Sequence, residues 1–157
     1  MDGSQTVFCL QRGSTGFRSL SDPPVPETDP GACRAAWYAA AQAARGQIGD
    51  FTEKQYLQNF HTGTINDRVG AHFGLFHAQY PLIAFVGDRR QWYTAEFQEP
   101  PAWAVALGEF GFTVLGASLL LSPLTGADST ALSAAERKQI RYWQPETLGA
   151  TLFNSWD

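Results

Sequence analysis

Lysine occurs only twice in this chain, histidine three times and methionine once, and just two cysteines are present, Cys9 and Cys33. Each scarcity excludes something. Eleven basic residues face fifteen acidic ones, a formal net charge of −4, and neither half of the chain is basic. A phosphate-binding surface needs a Lys/Arg-rich stripe. The nearest candidates, Arg89-Arg90 and Arg137-Lys138-Arg141, are short, so nucleic acid is not the expected partner. A chain of 157 residues buries roughly two-thirds of its unfolded surface and needs no disulfide to do so. The longest apolar stretch, near Val114–Leu121, is interrupted by Gly116 and Ser118 and is too short to span a bilayer. The first residues, MDGSQTVFCLQRG, lack the basic and then apolar regions of a secretory signal, so the expected location is cytoplasmic.

Catalytic signatures are also missing. No Gly-x-x-x-x-Gly-Lys-Ser/Thr phosphate loop occurs, Gly13-Ser14-Thr15-Gly16 lacks the lysine, and Gly-x-Ser-x-Gly is absent. His61, His72 and His77 fall within seventeen residues but at spacings of 11 and 5, which match no common zinc pattern. On a continuous strand His72 and His77 face opposite ways. No metal or cofactor is therefore expected.

What the chain does have is apolar material: a hydrophobic fraction of 44%, with 11 Phe, 5 Tyr and 5 Trp. This supports one globular domain over 1–157, of α+β class, with a small, mainly antiparallel sheet covered by helices. Thr6–Leu10 reads as a short strand. Residues 11–31, with Pro23, Pro24 and Pro26 among Asp22, Glu27 and Asp29, read as a long surface loop. Asp29-Pro30 starts a helix with an N-cap and a proline in the first turn, and Ala36, Trp37, Ala40 and Ala44 share its apolar face. Gly46 or Gly49 is expected to end it.

Thr52-Glu53-Lys54-Gln55 fits a capping box and predicts a second helix over Thr52–Phe60. Strands are expected at Val69–Phe76 and Leu82–Val86. Gln91–Phe97 alternates and pairs with the latter as a hairpin. Pro100-Pro101 opens a helix through Phe110, Phe112–Leu115 is a strand, and Ser118–Leu121 is a helical turn. Ser133-Ala134-Ala135-Glu136 is a second capping box, with a helix to Trp143. A last short helix spans Glu146–Trp156.

One enzymatic arrangement is compatible with the order of residues. Cys33 sits in the first turn of a helix, where unpaired N–H groups lower a thiol pKa. His77 precedes a strand, and Asp88 follows to orient the ring. In this order the chain resembles the NlpC/P60 and papain-like hydrolases, although Ala32 and Arg34 around Cys33 depart from their context. This gives a cysteine-dependent hydrolase or transferase as the alternative function.

The C-terminal residues Tyr142-Trp143-x-Pro145, Gly149 and Phe153-Asn154-x-Trp156-Asp157 resemble a YWxPxxxGxxxFNxWD tail of small bacterial proteins to which no activity attaches. The preference for Ala, Gly and Arg over Lys also fits a GC-rich bacterial coding sequence. Trp143, Phe153 and Trp156 are expected to fold back on the core. The leading reading is a non-enzymatic protein-binding module, an inhibitor of the immunity-protein kind. Its expected partner is a basic protein, such as a bacterial toxin or enzyme. The contact residues expected are Asp22, Glu27 and Asp29 of the loop with Trp92 and Glu96 of the hairpin, an aromatic anchor within a charged rim.

Overall fold

The computed structural model describes residues 7–55, 58–87 and 96–156. Helix α1 (Pro30–Ala44) begins as its caps dictate: the Asp29 carboxylate accepts from Gly31 N at 3.1 Å. It ends on Arg45, which takes the left-handed conformation (φ 53°), so neither Gly46 nor Gly49 supplies the stop.

Strand β1 (Gln47–Thr52) follows, then β2 (Phe60–Asn66), β3 (Ala71–His77) and β4 (Leu82–Val86). These form an antiparallel meander, and β5 (Phe97–Gln98) continues it by pairing with Phe85 and Val86. Strand β6 (Thr113–Val114) shares that edge of β4, lying parallel beside Leu82 and Ile83. The α+β architecture with a mainly antiparallel sheet is thus the observed one.

The described residues of the span Thr52–Phe60, expected as a helix, are not helical. Thr52 ends β1, paired with Thr62, and Phe60 begins β2, paired with His77. Just upstream β1 carries a bulge: Ile48 pairs with Ile65 and Phe51 with Gly63, so one extra residue is absorbed on β1. Ile48 and Phe51, three apart, both pack against the same apolar cluster. That spacing hides a strand from any search for alternation. Strand β3 also starts two residues later than expected, because the Asp67 carboxylate ties Val69 N (2.8 Å) and Gly70 N (3.1 Å) into the β2–β3 turn.

Beyond β5, a 3-10 turn (Ala102–Ala104) leads into α2 (Val105–Gly108). Helices α3 (Ala117–Leu120), α4 (Ala134–Trp143) and α5 (Leu148–Leu152) complete the chain. The capping box at Ser133 is formed as expected. The expected final helix shortens to α5. Among its described residues, the strand expected at Thr6–Leu10 is one parallel bridge between Cys9 and Asp128.

The sheet separates two cores. On one face α1 and α2 cover His61, Gly63, Ile65, Gly74, Phe76, Ile83 and Phe85. Trp37 lies at the centre of this face, fully buried, on a cross-strand pair of glycines. A Cβ at Gly63 would stand 2.6 Å from its Nε1, and one at Gly74 2.7 Å from its Cη2. Only a bare backbone gives the indole room. On the other face, α3, α5 and parts of the N-terminal segment pack on Phe60, Leu75, Ala84, Val86 and Phe97.

Candidate functional site

The feature that sets this molecule apart is the long segment ahead of α1. It has no regular secondary structure over 16–29, yet its base is buried: Gly13, Ser14 and Thr15 are enclosed, Thr15 completely. The anchor is Glu136 at the third position of α4, itself fully buried. Its Oε1 accepts from Gly13 N (2.9 Å) and Ser133 N (3.2 Å), and its Oε2 from Thr15 N (3.0 Å) and Thr15 Oγ1 (2.6 Å). A buried carboxylate needs such donors when no cation accompanies it. Gly13, at φ +94°, sets the turn that aims these amides at it.

His77 adds a second clamp. Its Nε2 lies 2.7 Å from Ser14 O, while its Nδ1 accepts from Gln79 N and Tyr80 N at 3.1 Å each. The ring is therefore neutral, with the proton on Nε2. Burial pushes its pKa down to about 4, against the opposing pull of Ser14 O and Glu136.

Asn59 and Asn154 complete the network. Asn59 Oδ1 accepts from Asn154 N (2.9 Å), and Asn59 Nδ2 donates to Leu152 O (2.7 Å) and Ser14 O (3.2 Å). Asn154 Nδ2 donates to Thr15 O and Thr151 O, both at 3.0 Å. The Phe-Asn-x-Trp portion of the tail is thus a structural lock. Phe153 lies in the core and Asn154 bonds the loop base. Trp156 stacks on Phe17 at 6.1 Å.

Farther out, Arg12 donates to Pro23 O (2.8 Å) and Pro24 O (3.0 Å), Tyr80 OH donates to Arg12 O, and Thr28 N donates to Ala78 O (2.7 Å). The loop between these ties stays outside. Leu20 is 101% exposed, and Arg18, Pro24, Val25 and Glu27 line a shallow cleft of about 360 Å³.

The acidic residues of this loop differ in their local duties. The Asp22 carboxylate accepts from Ser19 N at 2.9 Å, and Asp29 caps α1. Glu27 is exposed. Glu96 is exposed as well, with its carbonyl accepting from Gly87 N at 2.9 Å. Thr28 attaches just past the end of β3, whereas Glu96 lies just past the end of β4. The two strands are antiparallel, so about five strand residues, roughly 17 Å, separate those levels. The structure gathers Asp22, Glu27 and Asp29 in one segment and leaves Glu96 at the other end of the sheet. Trp92, Asp88 and Asp157 lie outside the described residues.

Cys33 and His77 do not meet. Cys33 packs in the α1 core and His77 points to the opposite face, beside Phe153 (5.7 Å between rings). Both nitrogens of His77 are held by backbone groups, and burial, with the Asp29 charge, pushes the Cys33 thiol up to about 12. The hydrolase arrangement is corrected on that geometry: the strand period that separates successive residues also separates this pair. The cysteines are free, Cys9 exposed and Cys33 buried.

The other two histidines occupy the α1 face. His61 Nδ1 accepts from Lys54 N at 2.9 Å, its Nε2 is buried without a partner, and burial lowers its pKa. His72 Nε2 lies 2.9 Å from Asp67 Oδ2, close but poorly aligned for a hydrogen bond. Trp103 Nε1 donates to the same oxygen at 3.0 Å. Desolvation raises the Asp67 carboxyl, but the Trp103 bond, the nearby His72 ring and the turn amides outweigh it and hold it down at about 2. Asp67 was not singled out from sequence; its position one residue past a strand and three before Gly70 was the available signal.

A cleft of about 570 Å³ runs between α1 and the outer strand β1, bordered by Arg34, Tyr38, Ile48 and Phe51. The Arg34 guanidinium sits 5.0 Å above the Phe51 ring. The β1 bulge breaks the regular edge that an added strand would need. Among the described residues no helix is long and apolar enough to cross a membrane, and no three His, Cys, Asp or Glu side chains converge as a metal site. Comparison with protein-family models, with curated proteins and with solved structures finds no match.

Proposed function

We propose that this chain is a protein-binding module of the inhibitor or immunity kind, acting in the cytoplasm. It neutralises a bacterial toxin or enzyme by covering a basic surface with the loop over 16–29. The observation that carries the reading is the contrast within that loop: a base locked by Glu136, His77, Asn59 and Asn154, and a tip with Leu20 and Glu27 exposed and Asp22 half-buried. A loop ordered before binding loses little entropy on association, which is how a small module reaches high affinity. The acidic side chains serve mainly to steer a basic partner into place. Glu96 belongs to a second contact only where the partner is large enough to reach the far end of the sheet.

The test is affinity capture from the source cell with wild-type bait beside an Asp22→Lys/Glu27→Lys bait. The expected result is a basic protein retained by the first and lost by the second, with salt-dependent association in purified form. A capture profile unchanged by the double substitution rejects the loop as the contact. Thiol labelling checks the competing enzymatic reading: in the native protein Cys9 reacts promptly, and Cys33 reacts only on unfolding. Rapid native labelling of Cys33 would reopen cysteine chemistry.

A further inference from the structure

The exposed end of α4 carries a second surface of opposite polarity. Its charges within five residues are Arg137, Lys138 and Arg141, three of the eleven bases in a chain of net charge −4. The only acid on this helix, Glu136, is buried. Arg137 is committed to Ser129 O (2.8 Å) and Thr130 O (3.1 Å). Lys138 and Arg141 are exposed, with no ion pair among the described residues.

Two aromatic side chains stand beside these cations. Tyr142 is 76% exposed and Trp143 39%. The Trp143 ring is not loose: it lies nearly parallel to Trp156 (6.3 Å, 7°), and its Nε1 donates to Gln139 Oε1 at 3.2 Å. Tyr142 meets Trp143 edge-on at 5.2 Å. One helical turn earlier, Lys138 and Gln139 close a slot of about 250 Å³ against these two rings.

From this arrangement we infer that the Lys138–Trp143 slot docks an acidic protein segment carrying one apolar side chain. The side chain fills the slot against the held rings, and its flanking carboxylates meet Lys138 and Arg141. Rigid aromatic anchors with a charged rim are the residue mix of binding hot spots. Charge complementarity selects the occupant. Two free cations are too few for a phosphate backbone, which the acidic loop also repels. Trp143 is stacked on the buried Trp156 and Tyr142 stands edge-on to Trp143, so the rings do not form the apolar helix face that a lipid surface requires. The inference rests on the protein-binding reading but not on the loop, and the two fail separately.

The probe is a short fluorescein-labelled peptide with Leu-Phe flanked by Asp and Glu, read by anisotropy at low salt. Controls are the same peptide with Lys for each acid, an oligothymidylate, and vesicles of anionic phospholipid. The expected result is saturable binding of the acidic peptide alone. It should weaken roughly tenfold or more in Lys138→Glu/Arg141→Glu and in Trp143→Ala, and stay unchanged in Glu27→Lys. The charge-reversal variant changes only exposed side chains, so it guards against a folding defect in Trp143→Ala. Absence of binding, equal binding of the Lys peptide, or binding insensitive to both variants overturns the inference. Preferential capture of the oligonucleotide or the vesicles through these residues overturns it in favour of those ligands.

Discussion

The two faces of the sheet are built on different physics. The α1 face is held by shape. Trp37 lies on Gly63 and Gly74, with Phe76 and Trp103 edge-on to it at 5.5 and 6.0 Å. The opposite face also has an apolar centre, but its outer border is a buried polar network that fastens loop backbone to α4, β3 and the C-terminal segment. A packed core resists loss of volume and fixes the fold. A hydrogen-bonded border fixes the path of one irregular segment. The difference teaches that a long loop can be as well positioned as a helix when its amides find buried acceptors.

Trp37→Ala should cost the most, about 4 kcal/mol, because the sheet's glycines offer nothing to refill the space. Denaturant unfolding measures it. Tryptic cleavage after Arg18 in the folded fraction should not change. If it accelerates as much as in a loop-anchor variant, the two faces are not separable.

Acid should act on the polar face. His77 has a folded pKa of about 4 against an ordinary value of 6.5. As pH falls, the unfolded chain takes up this proton first. The stability from neutral His77 is present above 6.5 and lost between 6.5 and 4, to a limit of roughly 3 kcal/mol. Unfolding midpoints over that window, compared with His77→Gln, check it. An equally steep decline in the variant would assign the effect to other groups.

Glu136→Gln is the smallest and most selective change. An amide N–H₂ replaces one acceptor in front of backbone N–H donors (Gly13 and Ser133, or Thr15) that cannot reverse, costing about 2 kcal/mol. Cleavage after Arg18 should accelerate while the α1 core, read by Cys33 protection, stays closed. Unchanged cleavage would mean that Arg12, Tyr80 and Thr28 suffice to hold the loop.

Local signals were legible where one residue's chemistry decides the outcome. Asp29-Pro30 and Ser133-x-x-Glu136 both start helices, and Leu82–Val86 is a strand with the expected bounds. The same capping logic failed at Thr52, where pairing with β2 outweighed a weak helical preference in a short segment. Of the three aromatics expected to fold back on the core, Phe153 and Trp156 are buried, while Trp143 stacks on Trp156 and stays partly exposed.

The candidate site was half visible. The acidic, Pro-rich loop stands out in composition, but its anchors are Glu136, some 120 residues away, and Asn154, farther still. Glu136 showed only its capping role, since one carboxylate oxygen serves Ser133 while the other reaches Thr15.

By itself the sequence determined the class of fold, the starts of the capped helices and the acidic character of the loop, because these depend on neighbouring residues and on composition. Tertiary structure alone decided that Cys33 and His77 lie on opposite faces, that Trp37 rests on two glycines from different strands, and that an irregular segment is locked in place. The physical reason is distance along the chain. Sheet pairing and buried hydrogen bonds join residues whose local sequences carry no mark of one another.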